Sequence, residues 1–198
     1  LLLVGGCRDV YEPSPPVATG PLLPAHVSTS TASGYIQVSA GNAYNCALQT
    51  NGYVLCWGGF VPPGIPAGNN VTQVTAGYTH ACVIKTDGSL TCWGSNSYGE
   101  ALPPAGNNFV QVSAGANFTC ALRTDGSLAC WGRNNYQQSN PPSGTNFTEV
   151  STGGFAACAL KTDGSLACWG WNDYGQATPP VGNFTEVAVG GFRACAVK

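Results

Sequence analysis

Cysteines dominate the chemistry open to this chain: there are ten, and eight of them pair at one spacing. Cys46/Cys56, Cys82/Cys92, Cys120/Cys130 and Cys158/Cys168 each enclose a turn signal, as in "CVIKTDGSLTC". Thiols so placed either form disulfides or bind a metal. Zinc sites use closer pairs, of the form C-x2-4-C, so a metal centre is not expected. A disulfide fits the hairpin. With Thr86-Asp87-Gly88 as a three-residue loop, Gly88 takes the left-handed position and Lys85 faces Ser89. Ile84 then faces Leu90, Val83 faces Thr91, and Cys82 faces Cys92. Alternation makes the cysteine pair a non-hydrogen-bonded one, with Cα atoms about 4.5 Å apart, within reach of a disulfide. Such bridges imply an oxidising compartment, and so a secreted, extracellular protein.

Other reactive side chains show no catalytic pattern. Asp87, Asp125 and Asp163, with Asn51 in the same place, suit an Asx-type turn before glycine. His26 and His80 stand in no acid–base or metal-ligand spacing, and no serine occupies a nucleophile elbow. Glu12, Glu100, Glu149 and Glu186 are scattered, with Glu149 and Glu186 in equivalent places. Neither enzymatic activity nor a cofactor is expected. Net charge is −2 with no basic run, which argues against a nucleic-acid partner. No segment approaches the roughly 20 apolar residues of a membrane span.

Binding residues are easier to nominate. Trp57, Trp93, Trp131 and Trp169 follow the second cysteine of each pair and read as packing between units. Trp171, whose equivalents are Ser95 and Arg133, is a candidate ligand platform or protein contact. The segments "SNSYGE", "RNNYQQ" and "WNDYGQ" share Asn96, Asn134 and Asn172, and also Tyr98, Tyr136 and Tyr174. These residues either lock a loop or form a repeated sugar site. N-glycosylation sequons begin at Asn70, Asn117, Asn146 and Asn183. Glycans there would solvate a surface on which only 8% of residues are charged.

An internal repeat must position all of these residues. Residues 71–106, 109–144 and 147–182 align, an earlier copy spans 35–68, and a last copy begins at Phe184. Each unit gives a short run such as "FTEVS", a second such as "CALKT", and, after Asp-Gly, a third such as "SLACW". Units of about 37 residues with three short strands and a Pro-containing loop point to an all-β fold, a small β-propeller. Five blades are expected over 35–198, the fifth a composite. Its missing strand is supplied by the N-terminal residues 1–7, "LLLVGGC", with Cys7 bonded to Cys195. That run is expected to be neither a leader nor an anchor. The 8–34 Pro/Ser/Thr-rich linker is long enough either to fold back in cis or to carry the strand to a neighbour.

The unit "TDGSLxCWGxNxYGQxxPP" resembles the secreted branch of the RCC1-like repeat superfamily, which includes bacterial β-lactamase-inhibitor propellers. "DGSLACWG" occurs twice and "DGSLTCWG" once, and the resemblance covers residues 35–198. It implies a propeller, often of seven blades. It implies function poorly, since such repeats serve exchange factors, inhibitors and adhesion proteins. The expected function is a non-enzymatic extracellular structural or assembly subunit, joined head-to-tail by strand donation, with itself as partner. The alternative is a soluble secreted binding propeller, a lectin or protein inhibitor, with a glycan or extracellular protein as partner.

Overall fold

A computed structural model describes residues 34–198. Residues 1–33 lie outside it, and with them the expected N-terminal closing strand, nearly all of the expected 8–34 linker and the expected Cys7–Cys195 pairing. The described residues are all strand, turn and loop. They form four three-stranded antiparallel sheets and one two-stranded sheet, in chain order. The first sheet holds β1 (Tyr35–Ala40), β2 (Tyr44–Gln49) and β3 (Val54–Gly58). The second holds β4 (Val71–Ala76), β5 (His80–Lys85) and β6 (Leu90–Gly94). The third holds β7 (Phe109–Ala114), β8 (Phe118–Arg123) and β9 (Leu128–Gly132). The fourth holds β10 (Phe147–Thr152), β11 (Ala156–Lys161) and β12 (Leu166–Gly170). The last pair is β13 (Glu186–Val189) and β14 (Ala194–Val197). First strands of successive sheets pack on one another, so each sheet is a propeller blade with its first strand innermost.

The Asp-Gly hairpins set the register. Gly88 has φ +78°, Lys85 N donates to Ser89 O at 2.9 Å, and Gly88 N donates to Lys85 O at 2.9 Å. Asp87 Oδ1 accepts from Ser89 N and Oγ, closing the turn. Each middle-strand cysteine therefore faces an outer-strand cysteine: Cys46 faces Cys56, Cys82 faces Cys92, Cys120 faces Cys130, and Cys158 faces Cys168. All four pairs are disulfides, with S–S bonds of 2.03–2.08 Å. One expectation needs correcting. The Cα separations are 4.0–4.1 Å, shorter than the roughly 4.5 Å expected of a non-hydrogen-bonded pair. The two halves of each bridge also differ in setting. Cys46, Cys82, Cys120 and Cys158 are fully buried, whereas Cys56, Cys92, Cys130 and Cys168 on the outer strands are half-buried. Each small ring adds about 2–3 kcal/mol on chain-entropy grounds.

Burial is greatest between blades rather than within them. One face of β5 puts Ala81 and Val83 against Tyr44, Cys46 and Leu48 of the first blade. The other face puts Cys82 and Ile84 against Phe109, Val112 and Ala121 of the third. The pattern repeats between the third and fourth blades and between the fourth and fifth. A middle strand thus reads as continuously apolar because both of its faces are buried.

Polar contacts knit the same interfaces on the axis side. A bulge at Ile36, Thr72, Val110 or Thr148 interrupts the inner strand of each of the first four blades just before a glutamine or glutamate. That side chain reaches the next blade's backbone: Gln37 Oε1 accepts from Val74 N, Gln73 from Val112 N, and Gln111 from Val150 N, at 2.8–2.9 Å. Glu149 Oε2 accepts from Val187 N at 3.2 Å. Two residues on, Ser39, Thr75, Ser113 and Ser151 hydroxyls accept from Ala76, Ala114, Thr152 and Val189 N–H groups. Beyond them the backbones nearly touch. A Cβ on Gly77 would lie 2.5 Å from Gly115 O, and one on Gly115 would lie 2.5 Å from Gly153 O.

Replacing Gly115 with alanine should therefore force the third blade away from the fourth. A loss of about 1–3 kcal/mol is expected in chemical denaturation. Gly99 has nothing within 4 Å of the added atom, although its φ is +83°. Gly99→Ala should cost less, which separates close approach from backbone preference.

Candidate functional site

One end of the propeller is built from the first inter-strand loop and the outgoing loop of each blade. The outgoing loops have the same internal scaffold. Asn96, Asn134 and Asn172 accept through Oδ1 from the backbone N–H of Ala101, Ser139 and Ala177. Glu100, Gln138 and Gln176 accept from Tyr98, Tyr136 and Tyr174 N–H groups. The shared asparagines therefore lock the loops. Each tyrosine is held by its backbone, which leaves its ring at the surface.

Glu100 and Gln138 also anchor the neighbouring blade. Trp131 Nε1 donates to Glu100 O and Trp169 Nε1 to Gln138 O, both at 2.9 Å. Trp93 is buried, but its Nε1 has no partner; Pro62 occupies the place of Glu100 in the shorter first loop. Trp57 is 44% exposed.

The ring side chains converge. Tyr136 lies against Phe155 and Trp171, with centroids 5.7 and 6.0 Å apart. Trp171 also meets Phe155, Tyr174 and Phe192 at 5.3–6.1 Å, all edge to face. Arg133 extends the cluster: its guanidinium carbon lies 5.3 Å from the Tyr98 ring and 5.2 Å from Phe155. The result is one ridge across four blades, from Tyr98 to Phe192. Tyr174 is 75% exposed and Phe192 61%. The ridge borders a central hollow of about 600 Å³, lined by glycine and alanine loops with Tyr78, Phe155 and Phe192.

The nominated residues thus divide. Tyr98, Tyr136, Tyr174 and Trp171 come together, and Phe155, Phe192 and Arg133 join them unannounced. Their only signal was divergence inside the repeat. Phe155 and Phe192 stand where earlier units have Thr79 and Asn117, in two "GGF" segments. The bridged cysteines take no part in the ridge. Cys56, Cys92, Cys130 and Cys168 pack with the inter-blade cores, and their sulfurs are spent in bonds to Cys46, Cys82, Cys120 and Cys158. Asn70, Asn146 and Asn183 are exposed, each just ahead of an inner strand, whereas Asn117 is partly buried beside the hollow.

Titratable groups are structural here. His80 is fully buried, with Nε2 2.8 Å from Thr119 Oγ1 and Nδ1 unpartnered. Burial lowers its pKa to about 4, against the opposing pull of the Glu100 charge. Burial pushes Glu100 upward, but its hydrogen bonds to backbone N–H groups and the Ser95 hydroxyl, with His80 nearby, hold it below the usual range. Burial raises Glu149, and the neighbouring Glu186 charge adds to the rise. That pair lines an inter-blade contact. Among the described residues, no cluster of histidine, cysteine and carboxylates could hold a metal.

Residues 35–59, 71–100, 109–138 and 147–176 match the Regulator of chromosome condensation (RCC1) repeat family. The chain belongs to that family. No curated protein matches it by sequence. Among solved structures it is similar to the ectodomain of the Physcomitrella patens receptor kinase CR4, with 25% identity and TM-score 0.69, over 83% of this chain and 51% of that one. The CRINKLY ectodomain of Arabidopsis thaliana ACR4 gives 25% identity and TM-score 0.67, over 84% and 65%. Yeast RCC1 (Prp20), solved bound to Kap60, gives 16% identity and TM-score 0.70, over 87% and 56%. This RCC1 propeller therefore spans about half to two-thirds of the length of those chains. Such propellers are binding or assembly modules. The four disulfides fit an oxidising environment. No helix among the described residues is long and apolar enough to cross a membrane.

Neutral, buried His80 makes stability depend on acid. Its folded pKa lies below the unfolded value near 6.5, so the unfolded chain binds the proton first and stability falls as pH drops. Between pH 7 and pH 5 the loss from this group should be about 2 kcal/mol. Phe118 holds the equivalent place one blade on, so His80→Phe should fold and should flatten that part of the profile in urea titrations.

Proposed function

We propose that this RCC1 propeller is a secreted, non-enzymatic binding module whose recognition surface is the aromatic ridge. The observation that carries this is the continuity of Tyr98, Arg133, Tyr136, Phe155, Trp171, Tyr174 and Phe192 on one exposed face. Exposed apolar patches of this kind mark interaction sites, and aromatic residues with arginine are enriched at binding hot spots. A protein partner is supported over a neutral sugar. Asn134 and Asn172, the amides nearest such a ligand, are already engaged at both ends, with Asn140 and Ser139 and with Thr178 and Ala177. The neighbour yeast RCC1 (Prp20p) was solved bound to Kap60, and its binding to Gsp1p and histones was characterised. Glycans on exposed Asn70, Asn146 and Asn183 would leave the ridge uncovered.

Head-to-tail assembly is the second reading, favoured by the flank of the first blade. Ile36 and Val38 are exposed there, and Val38 N and Ala40 N occupy the places where other blades receive a neighbour's side chain. The described residues supply no acceptor to those two groups.

Trp171→Ala should leave the unfolding midpoint nearly unchanged and weaken capture of the physiological partner at least tenfold, as for a hot-spot residue. Retention of full affinity by the double variant Trp171→Ala/Tyr174→Ala would remove the ridge from function. Light scattering of the non-reduced full chain tests the second reading: discrete or growing oligomers that dissociate on Val38→Lys support it, and a strict monomer at high concentration refutes it.

A further inference from the structure

Arg133 is an unusual component of an aromatic surface. Tyr98, Tyr136 and Phe155 surround its guanidinium at 5.2–5.9 Å, and its Nε is buried without a hydrogen-bond partner. No carboxylate among the described residues neutralises it. Glu100, one blade back, is buried and committed: Oε1 accepts from Ser95 and Oε2 from Tyr98 N. Asp173 belongs to the next blade's turn, beside Tyr174. A cation held among rings in this way is attracted by their faces. Its planar fork still has its strongest bonds to offer, since charge-assisted pairs with a carboxylate are about twice as strong as neutral ones. The rings also exclude water, which strengthens such a pair.

Arg133 and the hollow share a wall. Phe155 lies against the guanidinium and also lines the roughly 600 Å³ space beside Gly115, Gly153 and Phe192. A ligand crossing Phe155 would meet a positive charge on one side and an apolar recess on the other. We propose that the ridge binds an acidic peptide segment of a partner protein. The partner's Asp or Glu carboxylate pairs with Arg133, and an adjacent apolar side chain enters the hollow past Phe155. This rests on the ridge being the recognition surface, and it adds the chemistry of what is recognised.

The test is selection from a phage-displayed library of random linear peptides on the full, oxidised chain, with an array of neutral oligosaccharides run alongside. The expected peptides carry an acidic residue next to a large apolar one. Their affinity should fall about tenfold or more in Arg133→Gln, fall only partly in Arg133→Lys, and weaken with added salt. Lys85→Gln, on the opposite end of the propeller, should change nothing. Matching urea midpoints for Arg133→Gln and the parent exclude misfolding, and the salt dependence of the parent gives a reading that needs no variant. Peptides without acidic residues, or acidic ones indifferent to Arg133→Gln yet lost in Trp171→Ala, would overturn the acidic partner and keep the ridge. Oligosaccharide binding lost in Trp171→Ala would overturn the peptide in the same way. Ligands indifferent to both Arg133→Gln and Trp171→Ala would overturn the ridge as well.

Discussion

Everything in this propeller depends on how an inner strand treats the N–H groups that face its neighbour. The first strand of a blade pairs on one side only, so the N–H groups on its other side would be left unsatisfied between blades. Gln37, Gln73, Gln111 and Glu149 each answer one of them, and Ser39, Thr75, Ser113 and Ser151 a second. These side chains reach the next blade only because a bulge re-aims the strand and because glycine backbones approach without a Cβ between them. Adjacent blades are thus fixed in height and rotation by hydrogen bonds, and the apolar faces of the middle strands close around that frame.

The disulfides act in a second layer. They join the middle strand to the outer strand within each blade, as Cys46 to Cys56 and Cys120 to Cys130, and each sits in the apolar core shared with the following blade. A single blade cannot bury its apolar faces alone. The bridge stiffens it in its own plane, while the inner-strand contacts hold it to its neighbours. The two devices are orthogonal, and none of these four bridges is asked to hold the propeller together between blades.

Much of the hairpin was legible in the chain. A ten-residue cysteine spacing with Asp-Gly at its centre admits one register, and Cys82 opposite Cys92 follows from it. The repeat and the all-β class were legible for the same reason: local turn chemistry recurs at a fixed period. The inner-strand hydrogen bonds were not. Gln73 and Thr75 look like the polar half of an ordinary alternating strand, and only the bulge at Thr72 shows which backbone they reach. The ridge was half legible. Trp171 and the tyrosines stood out within their loops, whereas Phe155 and Phe192 lie in different segments that meet Trp171 only once the blades are stacked.

Repetition explains where the ridge had freedom to form. Positions that touch the next blade are held to one chemistry, as Asn96, Asn134 and Asn172 are by their loops. Positions outside the apolar inter-blade cores are less constrained. Ser95, Arg133 and Trp171 share one such place; Thr79, Asn117, Phe155 and Phe192 share another. Their side chains lie outside the apolar inter-blade cores, so aromatic bulk accumulates there in the fourth and fifth blades without disturbing those cores. The first unit lacks both the tyrosine loop and the glutamate that anchors it, and the indole of Trp93 in the second blade is unpartnered. The asymmetry of the propeller is therefore chemical: one scaffold, repeated, with its recognition chemistry concentrated toward one end of the described residues.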